Sequence, residues 1–317
     1  MAPSNGSNAS TGGILGALAR FWTLSNVQNS YAPDYTGFAA LLTAYIIIAL
    51  LVEPFHRMFS ISDLAISFPH AEVERVPVFM NVVYAAFVPL VAVVLVNLST
   101  RASFHKHHTT VLGLTIAVIL TSFLTDVVKN TVGRPRPDLL ARCKPKPGTL
   151  QNTLVDFTVC TETDSHTLHD GWRSFPSGHS SFSFAGLGYT AMFLAGQLRI
   201  FRDRRDLGRA LICLAPLVGA AMIAISRCQD YRHDVYDVCT GSLLGITIAF
   251  WSYRRYWPRL ASRECDVPYP APGSVEERER EERRGGWSRV RDEEDGGPIL
   301  GRNGAYEMAQ LGQSSTR

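Results

Sequence analysis

The chain lacks several things that would place it in familiar classes. Its six cysteines are few for 317 residues, and Cys213, Cys228, Cys239 and Cys265 show no metal spacing such as CxxC. Carboxylates are not clustered into the sets that magnesium prefers. No internal repeat is evident, which sets aside solenoids and propellers. The first apolar block has no basic segment before it, unlike a cleavable signal peptide, and reads as a retained helix. Charged residues make up only 19% of the chain, against 46% hydrophobic.

What is present is apolar sequence in blocks. Residues 35–52, 78–98, 109–128, 180–198, 210–226 and 235–253 are each about 17 to 21 residues long, close to the span of a bilayer's hydrocarbon. The expectation is an all-α, polytopic membrane protein with six transmembrane helices and its chemistry built on one membrane face. The fourth and sixth blocks are rich in Gly, Ser and Thr. Buried core helices are the alternative for them, although small residues such as Gly186, Gly188, Gly241 and Gly245 are what closely packed membrane helices use at their contacts.

Three regions follow: an N-terminal tail at 1–34, a membrane domain at 35–257 and a charged tail at 258–317. The tails are expected to be disordered. Residues 1–13 are rich in Ser, Asn and Gly, and "SVEEREREERR" at 274–284 offers too little apolar surface to offset chain entropy. Lys and Arg nearly balance between the two sets of loops. Setting aside Lys129, Arg136 and Arg227 as residues kept for chemistry puts both tails in the cytoplasm. Cys143 and Cys160 then lie in one extracytoplasmic loop, either paired or as two unrelated thiols.

Three polar clusters fall at helix ends on the non-tail face. They are "KNTVGRPRP" at 129–137, "PSGH" at 176–179 and "SRCQDYRHDVYD" at 226–237. Singly, each has a plain structural reading: snorkelling anchors, a Ser-capped helix start, a polar pair on a helix. Together they fit one task. Lys129, Arg136 and Arg227 are costly to gather at a membrane without an anion, and free N–H groups at a helix start favour the same anion. Phosphate is the natural occupant. His233 and Asp237 are four apart and share one helix face, so the carboxylate can orient the ring and leave a nitrogen free to attack phosphorus. His179, arriving from another helix, can protonate a departing alkoxide.

Lys129 with Arg136 and Pro137 as KxxxxxxRP, then PSGH, then SRxxxxxHxxxD from Ser226 to Asp237, is similar to the three-part signature of the type 2 phosphatidic acid phosphatase superfamily. The surrounding "GWRSFPSGHSSFSFAGLGYTAMFLAGQL" and "DYRHDVYDVCTGSLLG" most resemble the eukaryotic lipid phosphate phosphatases, particularly the fungal diacylglycerol pyrophosphate phosphatase type. The likeness spans about residues 35–257. It implies a six-helix, metal-independent enzyme without a cofactor. Such an enzyme removes phosphate from lipids such as phosphatidate, lysophosphatidate or diacylglycerol pyrophosphate through a phosphohistidine. His233 would be the nucleophile, Asp237 its partner and His179 the acid, with Lys129, Arg136, Ser177, Gly178 and Arg227 holding phosphoryl oxygens. The expected setting is an endomembrane (vacuole, Golgi or ER) or the plasma membrane, with a lipid substrate and no nucleic acid.

A non-catalytic lipid-phosphate-binding relative would be expected to have lost one of the two histidines, and both are present. Vanadate-dependent haloperoxidases resemble the same motifs but are soluble. A metal phosphatase built from "HKHH" at 105–108, or from His166, His169 and Asp170, is the remaining alternative. Both stretches read as solvated polar sequence.

Overall fold

The computed structural model describes residues 30–201 and 206–274. The expected disorder of residues 1–29 and of the "SVEEREREERR" run beyond Ser274 lies outside the described residues. Eight α-helices are described: α1 Ala32–Leu51, α2 Val78–Ser99, α3 Phe104–Val132, α4 Leu139–Cys143, α5 Ser165–Asp170, α6 Gly178–Gln197, α7 Leu207–Gln229 and α8 Val235–Tyr256. No strand occurs among them, only isolated bridges such as Phe59 with Val155. The fold is all-helical, as the apolar blocks require.

Five helices, α1, α2, α3, α7 and α8, are long and apolar enough to cross a membrane. The expected sixth span, α6, falls outside that set for a physical reason. It is the central helix, and its buried residues are mostly Ser, Gly and Ala rather than large aliphatics. Close packing is what its composition serves. A Cβ on Gly241 of α8 would sit 2.5 Å from the Ser177 carbonyl oxygen, and one on Gly245 would sit 2.2 Å from that of Ser181. The outer helices show the opposite pattern. α1 buries no residue and exposes Ile46, Ile47, Leu50 and Leu51, an apolar surface suited to lipid and not to water.

Successive long helices alternate in direction. At one end Asp34 of α1 meets Arg255 and Tyr256 of α8, and Lys106 of α3 reaches Gln197 of α6. Residues 258–274, assigned to the free tail by composition, pack on this end. The Cys265 thiol donates to Gly196 O at 3.4 Å, and Asp266 O accepts from Lys106 Nζ at 2.9 Å. Trp257 and Cys265 are fully buried.

At the other end the connecting segments fold into a cap. Phe59, Ile66, Leu139, Cys143 and Trp172 form its apolar core, the Phe, Ile and Leu side chains each contributing about 1.5–3 kcal/mol on burial. Cys143 and Cys160 are disulfide-bonded within it, so the paired reading of these two thiols holds. This cap closes over the ends that carry all three polar clusters.

Candidate active site

The first cluster is delivered by the end of α3. Lys129 lies in the last turn, and the helix stops at Gly133 with φ 56°. A side chain there would place its Cβ 1.8 Å from the Phe55 carbonyl oxygen, so only glycine permits the turn. The chain then doubles back through Arg134 and Arg136. Lys129 Nζ donates to Arg173 O at 2.6 Å. Arg136 donates through Nε and Nη2 to the Asp170 carbonyl and carboxylate, both at 2.8 Å, and through Nη1 to Arg232 O at 3.3 Å. That last bond ties the first cluster to the residue before His233.

The second cluster starts α6. Ser177 is the N-cap, its Oγ accepting from Ser180 N–H at 3.4 Å. Its own N–H is spent on Asp237 O at 3.0 Å. The donors left at this helix start are therefore Gly178 and His179 N–H, which have no partner among the described residues. Gly178 lies beside Lys129, whose Cε would be 3.5 Å from an added Cβ. His179 Nε2 lies 3.1 Å from Val76 O. A carbonyl only accepts, so Nε2 carries the hydrogen and Nδ1 is the nitrogen free for proton exchange.

The third cluster joins α7 to α8. Arg227, 1% exposed, ends α7, and Asp237 opens α8 in a capping box with Asp234. His233 Nδ1 lies 3.7 Å from Asp237 Oδ2, facing it but beyond hydrogen-bond reach, and has no other partner among the described residues. The carboxylate is held elsewhere. Oδ1 accepts from Arg134 Nη1 at 2.8 Å; Oδ2 accepts from Ser174 Oγ at 2.5 Å and Asp234 N–H at 3.1 Å. Burial, then the positive charges of Arg136 and Lys129, push the His233 ring well below the usual histidine pKa. His233 is thus neutral at neutral pH, with Nε2 free of the Asp237 side. His179 lies in the same field of Arg227, Arg136 and Lys129.

Two of the three cations have carboxylate partners within the protein, whereas among the described residues Lys129 donates only to the Arg173 carbonyl. Arg227 pairs with Glu74 at 2.8 Å and Asp230 at 3.0 Å, and Arg136 with Asp170 at 2.8 Å. Burial opposes the charge on Asp170, but Arg136, Arg142, Lys129 and Arg173 outweigh it and hold the carboxyl below its ordinary range. Asp170 is therefore part of this charge network and not solvated loop, and the neighbouring His169 Nδ1 sits 2.7 Å from His56 Nε2. In the "HKHH" stretch, His105 and His108 meet Tyr31 and Tyr35 at the opposite end of the bundle. Among the described residues no three His, Cys, Asp or Glu side chains group as metal ligands.

Arg134, Ser174, Glu74 and Asp230 escaped the sequence reading. Arg134 stands inside the first motif, and its proximity to Arg136 was the one available signal; Glu74 lies in a connection that carries no motif.

Comparison with known proteins places the chain in a family. The profile of the PAP2 superfamily matches residues 110–261, which hold all three clusters. A probable diacylglycerol pyrophosphate phosphatase 1 of Schizosaccharomyces pombe is 41% identical over 239 residues, covering 74% of this chain and 85% of the relative. Diacylglycerol pyrophosphate phosphatase 1 of Saccharomyces cerevisiae is 44% identical over 222 residues, 69% of this chain and 75% of the relative. Lipid phosphate phosphatase 2 of Arabidopsis thaliana is 36% identical over 227 residues, 69% and 74%. No solved structure matches the chain.

Proposed function

This chain belongs to the PAP2 superfamily, and from that premise we propose that it is a lipid phosphate phosphatase, acting on phosphomonoester or pyrophosphate groups of membrane lipids through a phosphohistidine. The observation that carries the reading is the gathering of a neutral, buried His233 and a second histidine, His179, in the field of Lys129, Arg136 and Arg227. One histidine from the start of α6 and one from the α7–α8 connection, among fixed cations, suit in-line phosphoryl transfer, where positioning and charge stabilisation supply most of the catalysis.

In this reading His233 Nε2 attacks phosphorus and the bond to the leaving oxygen breaks. Protonated His179 gives that oxygen its proton through Nδ1, releasing the lipid alcohol or, from a pyrophosphate, the lipid monophosphate. Water then attacks phosphorus, and the bond from phosphorus to His233 Nε2 breaks. His179 Nδ1 takes the water's proton, inorganic phosphate departs and His233 is restored. Lys129, Arg136, Arg227 and the N–H groups of Gly178 and His179 hold the phosphoryl oxygens throughout. Asp237 fixes the ring face of His233 and stabilises the cationic imidazole that forms. Ser177 caps the helix, its N–H spent on Asp237 O and its Oγ accepting from Ser180, and its hydroxyl hydrogen is left to donate to a phosphoryl oxygen. No step calls for a metal.

We read α6 as a sixth span, since it packs against four of the five apolar helices, α2, α3, α7 and α8, and runs the full depth of the bundle. Both tails then share the cytoplasmic side, and the site faces a lumen or the exterior. The disulfide between Cys143 and Cys160 in the cap supports that side, because such bonds persist in oxidising compartments. The endomembrane system and the plasma membrane both meet this condition.

The test is phosphate release by purified protein in detergent micelles from phosphatidate, lysophosphatidate and diacylglycerol pyrophosphate, with excess chelator present. Full activity is expected. A strict requirement for added magnesium, or release from none of these lipids, would remove the reading.

A further inference from the structure

The segment 70–76, which leads into α2, bonds to the site and its surroundings at five of its seven residues. His70 pairs with Asp138, Ala71 O accepts from Arg232, Arg75 N–H donates to Asp230, and Val76 O accepts from His179. In the middle stands Glu74. Its Oε2 lies 2.8 Å from Arg227 Nη1 and its Oε1 lies 3.2 Å from Arg232 Nη2.

The hydrogen count of Arg227 shows what this achieves. A guanidinium has five N–H donors in a rigid fork. Nε gives one to Ser226 Oγ, and Nη2 gives its two to Ser226 Oγ and Asp230. Nη1 gives one to Glu74. A single Nη1 hydrogen remains for an anion, and the direction in which it points is set by the Glu74 carboxylate on its neighbour. The other oxygen of Glu74 acts on Arg232, the residue that precedes His233 and whose carbonyl receives Arg136. One carboxylate thus registers a cation at the end of α7 against the backbone of the nucleophile.

We propose that Glu74 is a positioning residue for phosphoryl transfer, acting through Arg227 and Arg232. This rests on the phosphatase reading and adds to it a fourth element from outside the three motifs. Glu74 also lines a cavity of about 350 Å³ with Glu72, Val73, Pro77, Val78 and Arg232, so Glu72 supplies a control. It is the neighbouring carboxylate on the same cavity and makes no ion pair among the described residues.

The experiment uses the full chain purified in detergent, as wild type, Glu74→Gln, Glu74→Asp and Glu72→Gln. It measures kcat and KM on a soluble aryl phosphate, the inhibition constant of orthovanadate as a phosphate-like anion, and the melting temperature. Glutamine keeps one acceptor and turns a donor on an arginine, so one arm is lost. Glu74→Gln should lose about ten- to a hundredfold in kcat/KM, with vanadate binding weakened in parallel, the loss expected for one charge-assisted hydrogen bond. Glu74→Asp keeps the charge but is one methylene short, so it should recover part of both. Glu72→Gln should match the wild type.

A folded Glu74→Gln that binds vanadate as well as the wild type, or better, overturns the proposal. Where Glu74→Gln does not fold, a Glu74→Asp with wild-type vanadate affinity and kcat/KM overturns it equally. A wild type that neither turns over nor binds vanadate removes the phosphatase reading and this proposal together, and is told apart by that arm alone.

Discussion

Replacing Arg134 removes two arms, one to Asp237 and one to Asp234. Arg134 donates to Asp237 Oδ1 at 2.8 Å and to Asp234 Oδ2 at 2.9 Å. The Asp234 arm should matter little, because both of its partners reach solvent. The Asp237 arm ends on a fully buried carboxylate, and a hydrogen bond to a charged group is worth about 1.5–3 kcal/mol. The lower end applies, since Arg134 is 33% exposed and water screens it.

The more telling consequence is for His233. Its Nδ1 lies 3.7 Å from Asp237 Oδ2, and Arg134 at present offsets the charge on that carboxylate. Two unit charges about 4 Å apart interact by about 4 kcal/mol at an effective dielectric of about 20, or about three pKa units. Ser174 and the Asp234 N–H still hold Asp237, and water entering the space of Arg134 adds screening. We therefore expect about one unit. The sign is upward: an uncompensated carboxylate favours the imidazolium, so the ring, held well below its usual value in the wild type, protonates at higher pH. Protonated His233 cannot attack phosphorus. In Arg134→Gln the acid limb of kcat/KM on an aryl phosphate should move up by about one pH unit while the alkaline side holds, and Arg134→Lys should return it toward the wild type. A folded, active Arg134→Gln whose acid limb coincides with the wild type would refute the account of Asp237 and His233.

Three further outcomes are expected. His233→Ala should abolish both turnover and covalent phosphate. His179→Ala, given an aryl phosphate whose leaving group needs no proton, should accumulate a label that is lost in acid and kept in alkali, as a phosphoramidate behaves; label on His233→Ala, or alkali-labile label on His179→Ala, would overturn the roles. Reducing the Cys143–Cys160 bond, which closes 17 residues of the cap, should cost about 3 kcal/mol, seen as a lower melting temperature with reductant, and coincident melts would refute the role of this bond in holding the cap.

The long apolar blocks and the helix-start signature at Ser177 are legible in the chain because each depends on neighbours within a turn or two. The shared helix face expected for His233 and Asp237 is not found, because His233 precedes the Asp234 N-cap of α8 and meets Asp237 from the α7–α8 connection. Span length, capping and helical periodicity are local properties, and so the all-helical class and the three clusters could be read before any contact was known. The partners of those clusters could not. Arg136 finds Asp170 at a distance of 34 residues, Asp237 finds Ser174 at 63 and Arg134 at 103, and Arg227 finds Glu74 at 153. None of these separations leaves a periodic trace. The tertiary structure alone decided that Glu74 reaches Arg227 and Asp170 reaches Arg136, that Asp237 is held by Arg134 and Ser174 while it faces His233, and that the stretch 258–274 packs at the far end of the bundle. A buried charge takes whichever opposite charge or donor the fold brings within about 3 Å, because leaving it unpaired costs several kcal/mol. That choice is made by the three-dimensional packing of helices and cap, to which sequence order gives no guide.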